Sequence, residues 1–424
     1  MKTTSGIKPI IASKPPRIGL ALAGGGPLGA IYEIGALCAL AEALPGVDFT
    51  ALDGYVGVSA GSFIAAGLAN GMSPRQLCTS FVENDGPRSD LLRPGLFFRP
   101  AFAEYAHRLA AVPRLLLEAG YGVAVQRRTL LAAAEGLGRA LPTGLFSSAA
   151  LQRQLAQVFS APGRTNNFRQ LKRRLVLVAT DLDSGEAAPF GLPGWDHVPI
   201  SQAVAASAAL PGLFPPEPIG GRWYVDGALK KTLHARVLLD LGLDLVLCLN
   251  PLVPFNAGAG EALPHRVLGA RSRIPRLVDG GLPVVLSQTF RSLIHSRLEL
   301  GLKGYEVSHP GTDILLFEPD HRDPEMFLAN TFGYSQRRLL AEHAYQHTRA
   351  DLRSRRSALR TTLAQHRLAL DEAALDDTQR QLLPGRQRRR ARPASRGGQA
   401  LQRLDEVLND LEQALAARRP GSPA

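Results

Sequence analysis

The chain has 424 residues and a mass of 45.4 kDa, enough for one large domain or two ordinary ones with a substantial apolar core. Because 45% of the residues are hydrophobic and 20% are charged, the chain is not mainly disordered, and without a fixed sequence period it is not a collagen, coiled-coil or repeat protein. The formal net charge is +12, a sign that suits anionic membranes or nucleic acid.

The cysteines and the N-terminal segment indicate the cellular compartment in which the protein is expected. Cys38, Cys78 and Cys248 are widely separated, with no CxxC pair, so we expect a reducing compartment and neither a disulfide framework nor a cysteine zinc site. Residues 1–17 lack the apolar core of a secretory signal, and the sequence has no run of about 18 uncharged apolar residues. These features predict a cytoplasmic protein whose membrane contact is peripheral, and they indicate no oligomeric state.

Four short apolar runs predict a sheet: Arg17–Ala23, Leu52–Val58, Arg174–Thr180 and Leu243–Leu249. Helical patterns follow the first two runs, over Pro27–Leu44 and Ser62–Gly71. Runs that are apolar on both faces are typical of buried parallel strands. We therefore expect an α/β fold with a doubly wound, mostly parallel sheet and helices on both faces.

Residues 72–173 separate the second predicted strand from the third, and they predict a helical cap insertion because the segment is far longer than an ordinary connection. Within it, Leu96–Tyr121 mixes aromatic residues with arginine. This pattern fits either a lid that touches lipid or a helical layer packed on the sheet, and the α/β fold favours the layer. Asn256–Pro283, rich in glycine, proline and arginine, predicts a mobile loop.

The C-terminal part of the chain carries most of the positive charge. From Tyr334 onward there are 18 Arg and no Lys against 10 acidic residues. Tyr334–Leu383 predicts charged helices, Pro384–Gly398 a disordered linker and Ala400–Ala417 an amphipathic helix. This charged helical tail fits contact with an anionic membrane or, equally, a solvated flexible segment.

Gly57-Val58-Ser59-Ala60-Gly61 has the pattern G-x-S-x-G. Alone it fits an ordinary serine in a glycine-rich turn as well as a nucleophile. Its context favours the nucleophile, because it joins a predicted strand to a predicted helix. Such a sharp turn exposes the serine Oγ at the carboxyl edge of the sheet, and the glycines relieve crowding.

Gly24-Gly25-Gly26-Pro27-Leu28-Gly29 fits G-x-G-x-x-G, a pattern of dinucleotide sites. The same strand-to-helix turn could direct backbone N–H groups at the oxyanion of an acyl-transfer reaction. A dinucleotide site needs an acidic residue for the ribose at the end of the next strand, and that strand ends at Ser59 instead. The oxyanion interpretation is therefore favoured.

A serine nucleophile needs a proton acceptor. Downstream histidines are placed where an α/β-hydrolase would have its base, although none has a recognisable catalytic frame: His234, His265, His295, His309 and His321. The stronger candidate is Asp226, which ends a short apolar run and precedes Gly227. Its alternative explanation is an ordinary Asp-Gly turn.

Taken together, these residues resemble the patatin-like phospholipase family. The similarity covers roughly residues 17–335, and its five blocks occur in the family's order: Gly24–Gly26, Gly57–Gly61, Ala179–Gly185 followed by Phe190, Ala206–Pro216 and Asp226–Ala228. Two places depart from the pattern. The family usually has Arg or Lys two residues after the glycine run, where this chain has Leu28, and many members have Asn-Asn and Pro after the Asp-Gly motif, where this chain has Lys230–His234.

The resemblance implies a serine acyl hydrolase that cleaves fatty-acyl esters of phospholipids or lysophospholipids through a Ser59–Asp226 dyad. It implies an oxyanion hole formed by Gly24, Gly25 and Gly26, with Ala60 added by the geometry of the turn. Motif glycines are Gly29, Gly57, Gly61 and Gly227. It implies no metal and no organic cofactor, a lipid substrate, peripheral contact with an anionic membrane, and no nucleic-acid partner.

The domain organisation expected from these observations is a flexible N-terminus over residues 1–16, a patatin-like catalytic domain over residues 17–335, and a basic, partly disordered extension over residues 336–424. Two other functions remain open on the same residues. One is a soluble carboxylesterase or acyltransferase that does not touch a bilayer. The other is a non-catalytic binding protein that keeps the patatin fold.

Overall fold

The structure, a computed structural model, describes residues 15–87, 99–125, 129, 138–231, 233–256, 276–328 and 336–383. Its centre is an eight-stranded sheet with the order β5-β6-β3-β2-β1-β7-β8, in which β4 also pairs with β3. The strands are β1 Ile18–Leu22, β2 Gly54–Val58, β3 Arg174–Asp181, β4 Ala187–Phe190, β5 Glu217–Ile219, β6 Arg222–Asp226, β7 Leu245–Leu249 and β8 Asp313–Phe317.

Strands β3, β2, β1, β7 and β8 are parallel, whereas β4, β5 and β6 pair antiparallel. Every residue of β1, β2 and β7 is buried, which is why these strands are apolar on both faces. The predicted doubly wound, mostly parallel α/β fold is confirmed. The antiparallel strands extend it on one side, and β6 carries Asp226 to its end.

Helices connect and cover the strands. They are α1 Gly26–Ala43, α2 Ala60–Ala69, α3 Pro74–Leu77, α4 Phe102–Ala124, α5 Ala149–Phe159, α6 Ile200–Ser207, α7 Arg236–Leu239, α8 Gly281–Ser308, α9 Pro324–Leu328, α10 Arg337–Ser354, α11 Arg356–Gln365 and α12 Glu372–Asp376. The described part of the predicted cap insertion is largely helical, through α3, α4 and α5. None of the described helices combines the length and the apolar character that a membrane span needs.

Two of these helices position the site. Helix α1 begins four residues after β1, and α2 begins two residues after β2. Because β1 and β2 are parallel neighbours, both helix N-termini lie at the same carboxyl edge of the sheet. Pro27 occupies the first turn of α1, where its missing N–H costs no hydrogen bond.

The segment Asn256–Pro283 differs from the predicted mobile loop. Leu277–Gly280 forms a 3₁₀ turn, and α8 begins at Gly281. Pro283 therefore lies in the first turn of a helix, which accommodates proline without loss of a hydrogen bond. Residues 257–275 of the same segment lie outside the described residues.

Helix α10 packs against α1. A Cβ added to Gly35 of α1 would lie 2.4 Å from the carbonyl oxygen of Ala341, and Leu340, Ala344 and Tyr345 are buried. The described residues up to 382 belong to one compact unit with the sheet, and the boundary at residue 336 between a catalytic domain and an extension stays a prediction. The buried residues of α10 are hard to recognise in the sequence because charged residues lie between them. The predicted segments 1–14, Pro384–Gly398 and Ala400–Ala417 lie outside the described residues.

Candidate active site

The turn between β2 and α2 holds Ser59 in a strained backbone conformation, with φ 53° and ψ −122°. A non-glycine residue with positive φ costs roughly 1–3 kcal/mol unless the surroundings hold it in place. Here the backbone of the turn packs directly against neighbouring backbone at Gly57 and Gly61. A Cβ on Gly57 would lie 2.6 Å from the carbonyl oxygen of Gly61, and a Cβ on Gly61 would lie 2.5 Å from that of Ala23. Packing thus accounts for both glycines of the G-x-S-x-G pattern.

A second serine, at the end of α6, bonds this turn to the neighbouring strand β3. The backbone N–H of Ser59 donates to Ser207 Oγ at 2.8 Å, and Ser207 Oγ donates to the carbonyl oxygen of Val178 at 2.7 Å. Ser207 is fully buried at the end of α6, so it ties the turn to β3. Sequence reasoning did not single out Ser207, although it lies in the Ala206–Pro216 block that carries the family resemblance.

Ser59 and Asp226 are brought together by the sheet. Strand β6 pairs with β3, and β3 pairs with β2, which ends at the serine turn. Ser59 Oγ donates a hydrogen bond of 2.6 Å to Asp226 Oδ2, while Asp226 Oδ1 accepts one of 2.9 Å from the N–H of Ala228. Both side chains are buried. The two residues are 167 positions apart in the sequence.

Burial changes the acid strength of this aspartate. Loss of solvation raises the pKa of Asp226 to about 6, and the hydrogen bonds from Ser59 and from the Ala228 N–H act in the opposite direction. The usual pKa of an aspartate is about 3.9, and no pattern in the sequence predicts a higher value for Asp226. A carboxylate with a higher pKa is a stronger base, and Asp226 remains mostly ionised at neutral pH.

The glycine run lies directly beside the serine. A Cβ on Gly24 would lie 3.0 Å from Ser59 Cβ, and a Cβ on Gly25 would lie 2.7 Å from the Cα of Gly29. Gly26 has φ 61° and open space on its Cβ side. Because the first N–H groups of a helix have no intrahelical acceptor, the start of α1 can donate to an anion there.

Two further positions near the site differ in their roles. A Cβ on Gly227 would lie 2.1 Å from the carbonyl oxygen of Val178, so only glycine fits after Asp226. Leu28, which replaces the basic residue usual in the family, is buried in the first turn of α1. The apolar side chain therefore belongs to the core at this position.

An apolar pocket opens next to Ser59. It encloses about 800 Å³, including its opening to solvent, and is bordered by Gly26, Ser59 and Ala60. Most of the remaining lining is aromatic or aliphatic, as in Phe63, Phe81, Leu151, Leu155, Leu213 and Phe214. Its apolar lining is suited to a hydrocarbon chain.

The structure places the candidate histidines in other surroundings. His295 contacts Glu299 and Glu318, His309 contacts Asp240, and the Nδ1 atom of His321 lies 3.1 Å from the carbonyl oxygen of Pro254. Burial lowers the pKa of His234 to about 4. His265 lies outside the described residues. Among the described hydrogen bonds of the Ser59 side chain, the acceptor is Asp226.

Within the described ranges, His, Cys, Asp and Glu side chains form no group of three or more that could hold a metal ion. The three cysteines are free and buried, and burial raises the pKa of Cys248 to about 12.

Several solved structures are similar to this chain. VipD from Legionella pneumophila is 18% identical, with 78% of this chain and 68% of that chain covered, at a TM-score of 0.31. The type III effector protein ExoU is 16% identical, with 81% of this chain and 53% of that chain covered, at 0.33. ExoU in its complex with SpcU from Pseudomonas aeruginosa is 23% identical, with coverages of 47% and 38%, at 0.23.

This chain thus spans about two thirds of VipD and between 38% and 53% of ExoU. At these TM-scores, the similarity does not assign a function to this chain. The family model of patatin-like phospholipase matches residues 20–239, just over half of the chain, and this range contains the glycine run, the serine turn and the aspartate. The chain belongs to the patatin-like phospholipase family.

Proposed function

We propose that this protein is a serine acyl hydrolase that cleaves fatty-acyl esters of phospholipids or lysophospholipids. The family supports a lipid hydrolase function in general terms. The observation that carries the specific proposal is the 2.6 Å hydrogen bond from Ser59 Oγ to Asp226 Oδ2 beside an apolar pocket. This arrangement is a nucleophile bonded to a base, next to space for an acyl chain.

The reaction would proceed through an acyl-enzyme. Ser59 Oγ attacks the ester carbonyl while Asp226 Oδ2 takes its proton. The negative charge that forms on the carbonyl oxygen is bound by the N–H groups of Gly25, Gly26 and Ala60, a stabilisation typically worth about 3–4 kcal/mol for each donor. As the tetrahedral intermediate collapses, the leaving alcohol takes the proton from Asp226.

Hydrolysis of the acyl-enzyme repeats these steps with water. Asp226 accepts a proton from the water that attacks the ester of Ser59, and the same oxyanion donors bind the second intermediate. Collapse releases the fatty acid and returns the proton to Ser59 Oγ. Ser59, Asp226 and water account for all the bonds and protons in this sequence of steps.

The substrate class follows from the pocket. Its lining is apolar, so binding an acyl chain removes hydrocarbon from water at roughly 25 cal/mol per Å² of buried surface. Because such chains reside in membranes, the proposal includes peripheral contact with an anionic bilayer, which the positive net charge of +12 favours.

The test compares wild-type protein with Ser59→Ala on phospholipid vesicles and on monomeric p-nitrophenyl butyrate, with labelling by a fluorophosphonate probe. We expect the wild type to release fatty acid from vesicles and to be labelled, and Ser59→Ala to do neither. Turnover of the monomeric ester without activity on vesicles would favour the soluble carboxylesterase. A folded wild type that is neither active nor labelled would contradict the proposal.

A further inference from the structure

Helix α4 has an unusual distribution of side chains. Its charged residues Glu104 and Arg108 face the protein, where they form an ion pair of 2.9 Å with side chains 20% and 29% exposed. Its outward side carries large apolar side chains that are 54–75% exposed: Phe102, Leu109, Leu116, Leu117 and Tyr121. A helix on the surface of a water-soluble domain normally has the opposite arrangement.

Glu104 also explains why the polar side faces inward. Its carboxylate accepts hydrogen bonds from the N–H and hydroxyl of Thr143, and Arg108 donates to the carbonyl oxygen of Arg139. On the outward side, Arg114 and Glu118 are bonded to each other at 2.8 Å. The charges on this helix are therefore paired, and the outward side is dominated by hydrocarbon.

The first half of α8 shows the same arrangement. Arg291 points inward, where it donates to the carbonyl oxygen of Val253 and lies over the ring of Phe327, and burial lowers its pKa to about 10. Between the exposed polar residues Ser287, Thr289 and Ser292, the outward side carries large apolar side chains that are 38–70% exposed: Leu282, Val285, Leu286, Phe290 and Leu293. Charged residues begin to face outward only at Arg297.

Both helices are attached to segments that border the dyad. The carbonyl oxygen of Leu145 accepts hydrogen bonds from Ala101 and Tyr105 at the start of α4, and the Leu145 N–H donates to Gly212, next to the pocket residue Leu213. On α8, Arg297 donates to the carbonyl oxygen of Leu229, three residues after Asp226. The outward sides of α4 and of residues 281–293 are called here the outer apolar face.

We propose that the outer apolar face binds the surface of an anionic phospholipid bilayer and presents the pocket beside Ser59 to lipids held there. This inference rests on the proposed function for the identity of the substrate. Amphipathic helices bind lipid surfaces through buried apolar area combined with attraction of flanking cations to anionic headgroups. Exposed Arg99 and Arg276 lie three and five residues before the first residues of α4 and α8.

A lipid surface fits this face better than a second protein. Protein interfaces carry about one hydrogen bond per 100–200 Å² together with a polar rim. The outward side of α4 offers mainly hydrocarbon and an ion pair already satisfied within the helix. A bilayer interior needs no directional partner, and the arginines at the edges of the face match lipid phosphates.

The test uses vesicles of phosphatidylcholine and phosphatidylserine, with Ser59→Ala as the background so that the lipid is not consumed. Leu116→Ser with Leu117→Ser alters α4, and Leu286→Ser with Phe290→Ser alters α8. The matched control is Leu300→Ser with Val307→Ser, which removes apolar side chains from the charged half of α8 that are on average more exposed than those of either face variant. Vesicle binding is measured by sedimentation, and turnover of p-nitrophenyl butyrate is measured with Ser59 intact.

We expect each of the two face variants to bind vesicles about tenfold or more weakly, while the control variant binds as the parent does and all three turn over the monomeric ester at the parental rate. Equal binding by the face variants and the parent, or no binding by the parent, would overturn the inference. A parent that is dimeric in solution, with monomeric face variants, would overturn it in favour of a second copy.

The same experiment separates this inference from the proposed function. If the protein with Ser59 intact is inactive on vesicles and on the monomeric ester and is not labelled by the fluorophosphonate probe, but the face variants lose vesicle binding, the hydrolase proposal fails and the docking surface stands. If turnover is normal and binding is unaffected by the face variants, the docking surface fails and the hydrolase proposal stands.

Discussion

At the carboxyl edge of the sheet, the polar groups around Ser59 form hydrogen bonds with partners within the chain. Helix α4 and the first half of α8 differ, because charged side chains form their contacts on the inward side and large apolar side chains are exposed on the outward side. Ser59, Asp226 and Ser207 are buried and bonded to one another or to backbone. The outward leucines of α4 are more than half exposed. The difference teaches that contacts within the chain are enough to position the reacting groups, whereas the outer apolar face is covered only when it meets an external partner, which we propose is a bilayer.

Among substitutions outside the Ser59–Asp226 dyad, the largest effect is expected in the oxyanion loop. Gly26 and Gly71 both have positive φ, 61° and 83°, with open space for a Cβ, so Gly26→Ala and Gly71→Ala should each cost roughly 1 kcal/mol of stability. Gly26→Ala should also lower kcat on the order of a hundredfold. Alanine disfavours the positive φ of this residue, and a change in φ would turn the N–H group away from the oxyanion. Gly71→Ala should retain its activity.

Steady-state turnover of a monomeric ester and the Tm of both variants check this prediction. Equal activity in Gly26→Ala and the wild type would show that the start of α1 is not an oxyanion site. The site would then have to bind the developing charge elsewhere.

A second prediction concerns pH. Asp226 must be ionised to accept the serine proton, and burial raises its pKa to about 6. As pH falls below this value the carboxylate becomes protonated, so kcat/KM for a neutral monomeric ester should fall about tenfold per pH unit. Above it, the profile should be flat towards neutral pH. A profile that stays flat down to about pH 4, the usual range of an exposed aspartate, would contradict the effect of burial.

A smaller effect is expected at the residue that ties the serine turn to β3. Ser207→Ala would leave the N–H of Ser59 and the carbonyl oxygen of Val178 without their partner, at a cost of about 1–3 kcal/mol for such buried groups. We expect kcat to fall about tenfold with KM little changed, since misplacing a nucleophile slows the chemical step.

Ser201→Ala is the matched control, because Ser201 is also buried on α6 but bonds to Asn166. A loss of stability in both variants with a loss of kcat only in Ser207→Ala would identify a positioning role. Equal kcat in the two variants would reduce Ser207 to a structural residue.

The smallest effect is the release of backbone strain. Ser59 has φ 53°, so Ser59→Gly should be about 1 kcal/mol more stable than Ser59→Ala, the relief of positive φ exceeding the entropic cost of glycine. Both variants lack the serine hydroxyl, so the difference in their stability reports the backbone conformation at residue 59. Denaturant unfolding measures the difference. A less stable Ser59→Gly would show that the turn stores no strain.

The sequence predicts best the parts of the site that are local in the chain. A strand, a glycine-containing turn and a helix follow one another within about twenty residues at both Gly24 and Ser59, so the apolar runs and small residues identify them. The contact between Ser59 and Asp226 joins residues 167 positions apart. No local pattern determines that contact. The strand-end position of Asp226 made it the stronger candidate base, and the family resemblance implied its pairing with Ser59.

Other features escaped prediction for physical reasons. Strands β4 and β5 are only four and three residues long, too short to show a period of two. The packing of α10 on α1 rests on small residues such as Gly35 and Ala341, which carry little hydrophobic signal. The inward charges of α4 depend on contacts with Thr143 and Arg139, which only the fold brings together.

The measurement that tests the central claim most directly is fatty-acid release by Asp226→Asn, with Glu217→Gln as a matched control. Glu217 is also a buried carboxyl whose pKa is raised by burial, and it bonds to Ser148 rather than to Ser59. Asn keeps the shape of Asp226 and its hydrogen bond from Ala228, and it removes a buried charge, so the Tm at pH 7 should be unchanged or higher.

We predict that Asp226→Asn loses on the order of 10⁴-fold in kcat, as other serine hydrolases do when a partner of the nucleophile is lost, while Glu217→Gln stays close to the wild type. A folded Asp226→Asn protein that releases fatty acid at the wild-type rate, alongside an inactive Ser59→Ala, would contradict the dyad and assign the base to another residue.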